Sequence, residues 1–517
     1  MSTLKLDRRS FLATSGAIGT AGFFGLPLFA GEAMAQVKKL IVRVDSDINL
    51  LDPAYMVGGS EIEIQKAVLP ALVEFDDADG SYGWRPSAYV EKFEQRDDTH
   101  FDFTLKSGFM WTGGNGELTA EDVKYSYERM KTGDWKGNFE QLDRVEVTDK
   151  YSGTLVLSQP FAPFVIIALA SGTGGILSKA AMAKVEGEKY TTEIPATCGP
   201  YLFEWVPQQK FVFKANPDWT GPKPAFEEVE CLIIQEGSAA ELAFEAGEVM
   251  ATKISAATHA RYLETPPANS TVTVAGALQY MWLGMNTENE KLADIKVRQA
   301  IQHAVDAQQV IDGAYSGTTA KSNGIICPGL IGHRTATKYS YDPAKAQALL
   351  AEAGVSGLEL ELKTLNVQER VLAAQIIQAQ LQAVGITVKV IPVDEGPFWE
   401  MGDQEKGDYK NLQLWLMRFG TNTDPYEATQ WFTSDQVGVW NWERWKDEEF
   451  DRLYKEGQVE SDEAKRAEIY LRMQEIMEDT GAYVWINHEP ETFVHRADLK
   501  ITVMPSGEMI WRDFKSA

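Results

Sequence analysis

Residues 341–393 spell out a helix, a strand, a second helix and a second strand, and no other stretch restricts the fold as tightly. Asp342 stands where a helix cap belongs, with Pro343 at the first helical position and Gly354 as the stop. Leu349 and Leu350 supply its inward face. Leu358, Leu360 and Leu362 then alternate with Glu359, Glu361 and Lys363, the period of a half-buried strand. A second helix places Leu372, Ile376, Leu381 and Val384 on its apolar stripe and ends at Gly385. The strand Ile386–Val393 follows, completing a βαβ unit. Such a unit requires parallel pairing through a right-handed crossover. A further helix from Asp294, with Val297, Ile301, Ala304 and Val305 inward, precedes it. The second half of the chain is therefore expected to hold a doubly wound α/β lobe, which binds ligands beyond the carboxyl ends of its strands.

The first half alternates as well. Phe101, Phe103 and Leu105 read as a strand, Gly113-Gly114-Asn115-Gly116 as the turn that ends it. Thr119 caps a helix carrying Glu121 and Asp122 in its first turn and Val123, Tyr127 and Met130 on one face. At 517 residues the chain is long enough for two or three domains.

Residues 1–35 predict an address. Asp7-Arg8-Arg9-Ser10-Phe11-Leu12 reads as a twin-arginine region, residues 17–30 as a weakly apolar segment, and Ala33-Met34-Ala35 as a cleavage site before Gln36. The mature protein is expected in the periplasm, exported by the twin-arginine pathway and cleaved after Ala35. No lipid-attachment cysteine follows the leader, which predicts a freely soluble protein. The formal net charge of −26 disfavours nucleic acid and anionic membrane surfaces as partners. The cysteines Cys198, Cys231 and Cys327 lack CxxC spacing, and sequence leaves open one disulfide or three thiols. Six scattered histidines suggest no metal site.

Catalytic signatures are missing. There is no nucleophile elbow, no phosphate-cradling P-loop and no dinucleotide fingerprint, so no catalytic residue and no cofactor is predicted. Ser171-Gly172-Thr173-Gly174-Gly175 fits neither nucleotide motif and is expected to be a flexible loop at a cleft mouth. Trp431, Trp440, Trp442 and Trp445 crowd together downstream of Trp399 and Trp415, and at least one should form a wall of a solute cleft.

Five blocks, in order, make the chain resemble the bacterial extracellular solute-binding proteins of family 5, the dipeptide, oligopeptide and nickel-type receptors of ABC importers. They are Arg85-Pro86-Ser87-Ala88 through Asp122-Val123; Thr197-Cys198-Gly199-Pro200-Tyr201 with Asn216-Pro217-Asp218-Trp219; Asn286 with Val297-Arg298-Gln299-Ala300-Ile301; Tyr341-Asp342-Pro343 through Ala353-Gly354; and Gly407-Asp408-Tyr409 with Asp424-Pro425. The resemblance implies a two-lobed α/β periplasmic binding protein fold, class II and of the large cluster C type, with an extra subdomain in lobe I. It implies lobe I at 36–278 with the subdomain about 78–190, lobe II at 279–487, and a C-terminal return at 488–517. It also implies a monomer that closes on a small-molecule or short-peptide solute and delivers it to an ABC permease.

Dipeptide-type members hold the peptide ammonium with an aspartate three positions before the Asp-Pro pair. Here that position is Thr421. Their carboxylate-binding arginine, after the strand matching Leu358–Leu365, is replaced by Asn366, with Arg370 the nearest cation and Arg418 a substitute for an anionic group. The ligand-binding residues expected from these positions are Tyr55, Asn366, Trp415, Arg418, Thr421, Asn422 and Trp442. The competing classes are a twin-arginine-exported periplasmic enzyme, redox or hydrolytic, and a receptor or chaperone without a transport role.

Overall fold

The computed structural model describes residues 39–517 apart from 57–58, 77–82, 277 and 505. The leader and its cleavage site lie outside the described residues. A six-stranded sheet organises the second half, in the order Ala320–Lys321, Tyr483–His488, Gln279–Met285, Leu414–Gly420, Leu358–Leu365, Ile386–Val393. The last two strands pair in parallel along their whole length, joined by the helix Gln368–Ala383 as the periodicity predicts. Asp342 accepts the Lys345 N–H at 2.9 Å with Pro343 in the first turn, so the predicted cap forms.

The crossover helix is rotated from the expected stripe. Arg370, Ala373, Ala374, Ile377, Gln380 and Leu381 are buried, whereas Leu372 is 37 % exposed. Ala373 and Ala374 let the helix backbone sit close to the sheet, and that close approach selects the face.

The sheet divides two cores. Met281, Leu283, Leu414, Leu416, Val484 and Ile486 pack beneath the crossover helices. Tyr280, Trp282, Trp415, Met417, Tyr483 and Trp485 point to the other side, into an aromatic core with Phe398, Phe432, Trp442 and Trp445. The alternation of Cβ directions along each strand makes this division. Each such side chain contributes roughly 1.5–3 kcal/mol by burial.

The first half holds the sheet Lys39–Val44, Glu228–Ile233, Lys210–Ala215, Tyr201–Val206, and an antiparallel sheet Val90–Asp97, His100–Leu105, Ser152–Leu157, Leu142–Val147. The helix Ala120–Arg129 packs near the latter, closed by a reciprocal Thr119–Asp122 capping box. The Gly-rich segment 171–175 is no flexible loop. Gly172, Thr173 and Gly174 are buried in a tight turn, and the Lys66 ammonium donates to the Ala170 and Ser171 carbonyls at 2.6 and 3.2 Å. A Cβ on Gly174 would lie 1.8 Å from the Leu169 carbonyl oxygen, so glycine is there for close packing. All three cysteines are unpaired and buried.

Two segments carry the chain between the halves. Ser270–Ala275 pairs with Glu491–Arg496 in a three-stranded sheet with Ala251–Lys253. The continuing strand Gln279–Met285 pairs with Tyr483–His488 in the six-stranded sheet. The two segments thus run side by side through both halves, with Glu489-Pro490 standing between the two pairings on the returning segment. Among the described residues no helix is long and apolar enough to cross a membrane.

Candidate ligand cleft at the crossing segments

A cavity of about 270 Å³ opens where these segments cross. Its walls come from both halves: Lys253, Ser255 and Glu491 on one side, Gln279, Tyr315, Arg370, Trp399 and Arg418 on the other, and Glu489-Pro490 between them. A larger concavity of about 400 Å³ beside Trp219 and Arg512 draws no residue from the six-stranded sheet. Relative movement of the halves cannot close it, so the cavity at the crossing is the candidate.

The cavity's chemistry centres on Glu489. Arg370 donates to both of its carboxylate oxygens, one at 2.9 Å, and Arg418 Nη1 reaches Oε2 at 3.1 Å. Burial opposes ionisation of this carboxyl, but the Arg370 and Arg418 guanidiniums outweigh it and hold the group below the usual carboxylate range. Arg370 also donates to the Tyr315 hydroxyl, which burial pushes upward in pKa. Arg418 Nη1 further donates to Gln279 Oε1 at 2.5 Å, and Gln279 Nε2 donates to Glu491 Oε1 at 2.7 Å. Lys253 pairs with Glu491. One polar chain therefore runs from Lys253 to Arg370, across both crossing segments.

Within that chain the two arginines differ. The Arg370 side chain is 8 % exposed and spent on Glu489 and Tyr315. The Arg418 side chain is 43 % exposed, and its Nε and Nη2 have no partner among the described residues. A guanidinium with one nitrogen fixed and two donors free is suited to a bidentate anion.

Of the residues expected from sequence, only Arg418 lines this cavity. Asn366 is displaced by strand periodicity: Leu365 and Val367 face the cavity, and Asn366 points to Asp394, 3.4 Å from Nδ2 to Oδ1. Trp415 and Trp442 are 0 % and 1 % exposed and meet edge to face at 6.0 Å in the aromatic core, because odd-numbered positions of Leu414–Gly420 face that side. The wall-forming tryptophan is Trp399 instead. Thr421 is buried, and its N–H donates to Leu278 O at 2.8 Å, tying its loop to the first crossing segment. The Asn422 N–H donates to Glu427 Oε2 at 3.0 Å. Tyr55 sits in the first half between the Lys189 ammonium, 3.7 Å from its ring centroid, and Arg129, which grips Asp52.

Sequence reasoning missed Tyr315, Gln279, Lys253 and the Glu489-Pro490 pair. The last had a signal: a carboxylate and a proline directly after the expected return near residue 487. Asp424 behaves as expected, capping the helix Pro425–Gln430, and also accepts two 2.7 Å bonds from Arg466.

Two α/β halves joined by paired crossing strands, with a polar cavity at the crossing, define a two-lobed binding protein that closes around a solute. The comparisons agree. Residues 86–440 match the family model of bacterial extracellular solute-binding proteins, family 5 (middle region), and the chain belongs to that family. It is a periplasmic solute-binding protein of an ABC importer, delivering its ligand to the membrane permease. It is 28 % identical over 467 residues to the probable D,D-dipeptide-binding periplasmic protein DdpA of Escherichia coli, covering 86 % of this chain and 88 % of that one. The dipeptide-binding protein of the same organism is 26 % identical, covering 88 % and 90 %. Among solved structures, the ABC transporter substrate-binding protein CtaP of Listeria monocytogenes superposes with a TM-score of 0.80 at 21 % identity, covering 93 % of this chain and 99 % of that one. NikZ of Campylobacter jejuni, in complex with Ni(L-His), gives 0.74 at 23 %, covering the same shares. The fold is the class II, cluster C type.

Proposed function

We propose that the receptor takes a small peptide-like solute carrying an anionic group, held in the cavity at the crossing segments with that group on Arg418. The observation that carries this reading is the partly exposed Arg418 guanidinium, anchored through Nη1 and free at its other donors. Several named relatives are dipeptide or di/tripeptide binders, which supports a peptide-like frame. Thr421 in place of a carboxylate leaves an ammonium group without its charged partner, so a free N-terminus is not the main determinant. Thr421, Asn422 and Asn366 belong to the loops that border the cleft, Trp415 and Trp442 act from the aromatic core, where Trp442 meets Phe398 beside the wall residue Trp399, and Tyr55 stands on the lobe I side.

Lobe I comprises 36–278 with its subdomain at about 78–190, lobe II 279–487, and the return 488–517. The pairing of Ser270–Ala275 with Glu491–Arg496 in one sheet, and of Gln279–Met285 with Tyr483–His488 in another, supports these limits. The receptor works as a monomer, without nucleic-acid partners, after twin-arginine export and cleavage behind Ala35. N-terminal sequencing of the exported protein, expected to begin at Gln36, tests the processing. Native mass spectrometry of receptor purified from the periplasm tests the ligand class. A co-purifying short peptide or peptide-like acid is expected, and a solute lacking any anionic group would overturn the assignment to Arg418.

A further inference from the structure

The two lobes meet a second time, through residues that do not line the hinge cavity. The segment Gln159-Pro160-Phe161-Ala162-Pro163 follows the subdomain strand Ser152–Leu157. From it, Ala162 N–H donates to the Gln458 carbonyl at 2.8 Å. Beside this bond the Phe161 ring meets Tyr426 edge to face, with centroids 5.5 Å apart at 88°. Tyr426 in turn stacks on Tyr454 at 5.4 Å and 15°. Phe161 is only 4 % exposed although it belongs to a connecting segment. Pro160 and Pro163 restrict the backbone on either side, so the phenyl ring is presented at little entropic cost.

The receiving surface is stiff. Tyr426 lies in the helix Pro425–Gln430, whose cap Asp424 is gripped by Arg466. The same helix holds the 421–424 loop through Glu427 and Asn422, and Thr421 ties that loop to Leu278 in the first crossing segment. The cleft border and the surface that receives Phe161 are therefore parts of one body.

We propose that Phe161 and Tyr426 form a closing latch, a lobe-to-lobe contact that favours the closed receptor independently of the solute. Swinging the lobes apart about the crossing segments at Glu489-Pro490 breaks the Ala162–Gln458 bond and returns Phe161 to water. No solute atom takes part, so the latch multiplies the closed-to-open ratio by one factor for every ligand, and through that ratio sets affinity. The inference rests on two-lobe closure and not on the nature of the solute.

The test is made on the ligand-free mature receptor with spin labels at Lys136→Cys and Lys455→Cys, read as a distance distribution by pulsed electron resonance. Both a short and a long population are expected. Phe161→Ala and Tyr426→Ala should each lower the short-to-long ratio by about tenfold, and the double variant no further than either one. Phe161→Leu, which keeps apolar volume, should recover most of the short population, separating a latch from a folding defect. An unchanged distribution in Phe161→Ala, a fully additive double variant, or a wild-type receptor found only in the long population would overturn the proposal. None of these results depends on Arg418, so failure here is distinguishable from failure of the ligand assignment.

Discussion

Arg370 of the crossover helix Gln368–Ala383 and Glu489, just beyond the strand Tyr483–His488, form a forked ion pair, 8 % and 15 % exposed at their side chains. The pair fastens the hinge to the lobe that carries Arg418, and Glu489 at the same time holds Arg418 in place. A buried pair of this kind punishes the loss of either partner more than the loss of both.

Replacing Glu489 with Gln should therefore destabilise the receptor by roughly 3–5 kcal/mol, because the Arg370 charge is left buried without its counter-ion. The paired change Arg370→Met with Glu489→Leu should recover most of that stability. Urea unfolding of these two variants and the wild type at neutral pH measures both. Since the Glu489 carboxyl is held below the usual range, its contribution is present above the unfolded carboxyl pKa and is lost as pH falls through the folded value.

Arg418→Gln should weaken binding of a short peptide acid by about 10- to 100-fold, the size of a charged hydrogen bond, while leaving the C-terminal amide of the same peptide nearly unaffected. Calorimetric titration with acid and amide pairs reads this directly. Equal loss for both members would place Arg418 in a structural role.

Trp415→Ala should cost about 3–5 kcal/mol of stability through the cavity it leaves in the aromatic core. Trp399→Ala, at the cavity wall, should cost less stability and more affinity. Comparing the unfolding free energy and the dissociation constant of each variant separates core packing from the cavity wall.

Glu443 is buried, accepts the Trp282 indole N–H at 2.7 Å, and burial pushes its carboxyl up to about 8. The folded protein keeps this proton where the unfolded chain, near 4.3 as a free glutamate, has lost it. Stability therefore falls as pH rises from about 4.3 to about 8 and levels off above. Glu427, pushed up to about 7 for the same reason, adds to the lower part of that window. In Glu443→Gln the fall between pH 7 and 8 should vanish, and the variant should gain on the wild type with rising pH, as chemical unfolding across that range will record.

The local rules that sequence obeys were enough for the elements. Asp342-Pro343 and Thr119 with Asp122 cap their helices because capping is settled within four residues. Leu358–Leu365 and Ile386–Val393 pair as their spacing requires. The site was much less legible. Asn366 was one residue out of phase, and a strand reverses its facing with each residue. Trp415 and Trp442 carried the right chemistry for a cleft, but composition cannot tell which side of a sheet is wet.

By itself, the sequence determined the α/β elements, the parallel pairing of the βαβ unit and the family, since each depends on short-range periodicity or on ordered motifs. Only the tertiary structure decided that Glu489 and Gln279 converge on Arg418, and that Phe161 reaches Tyr426. Those partners are separated by 71 to 265 positions along the chain. Contacts so distant are set by how two lobes pack about a pair of crossing strands, a property that no local pattern of residues encodes.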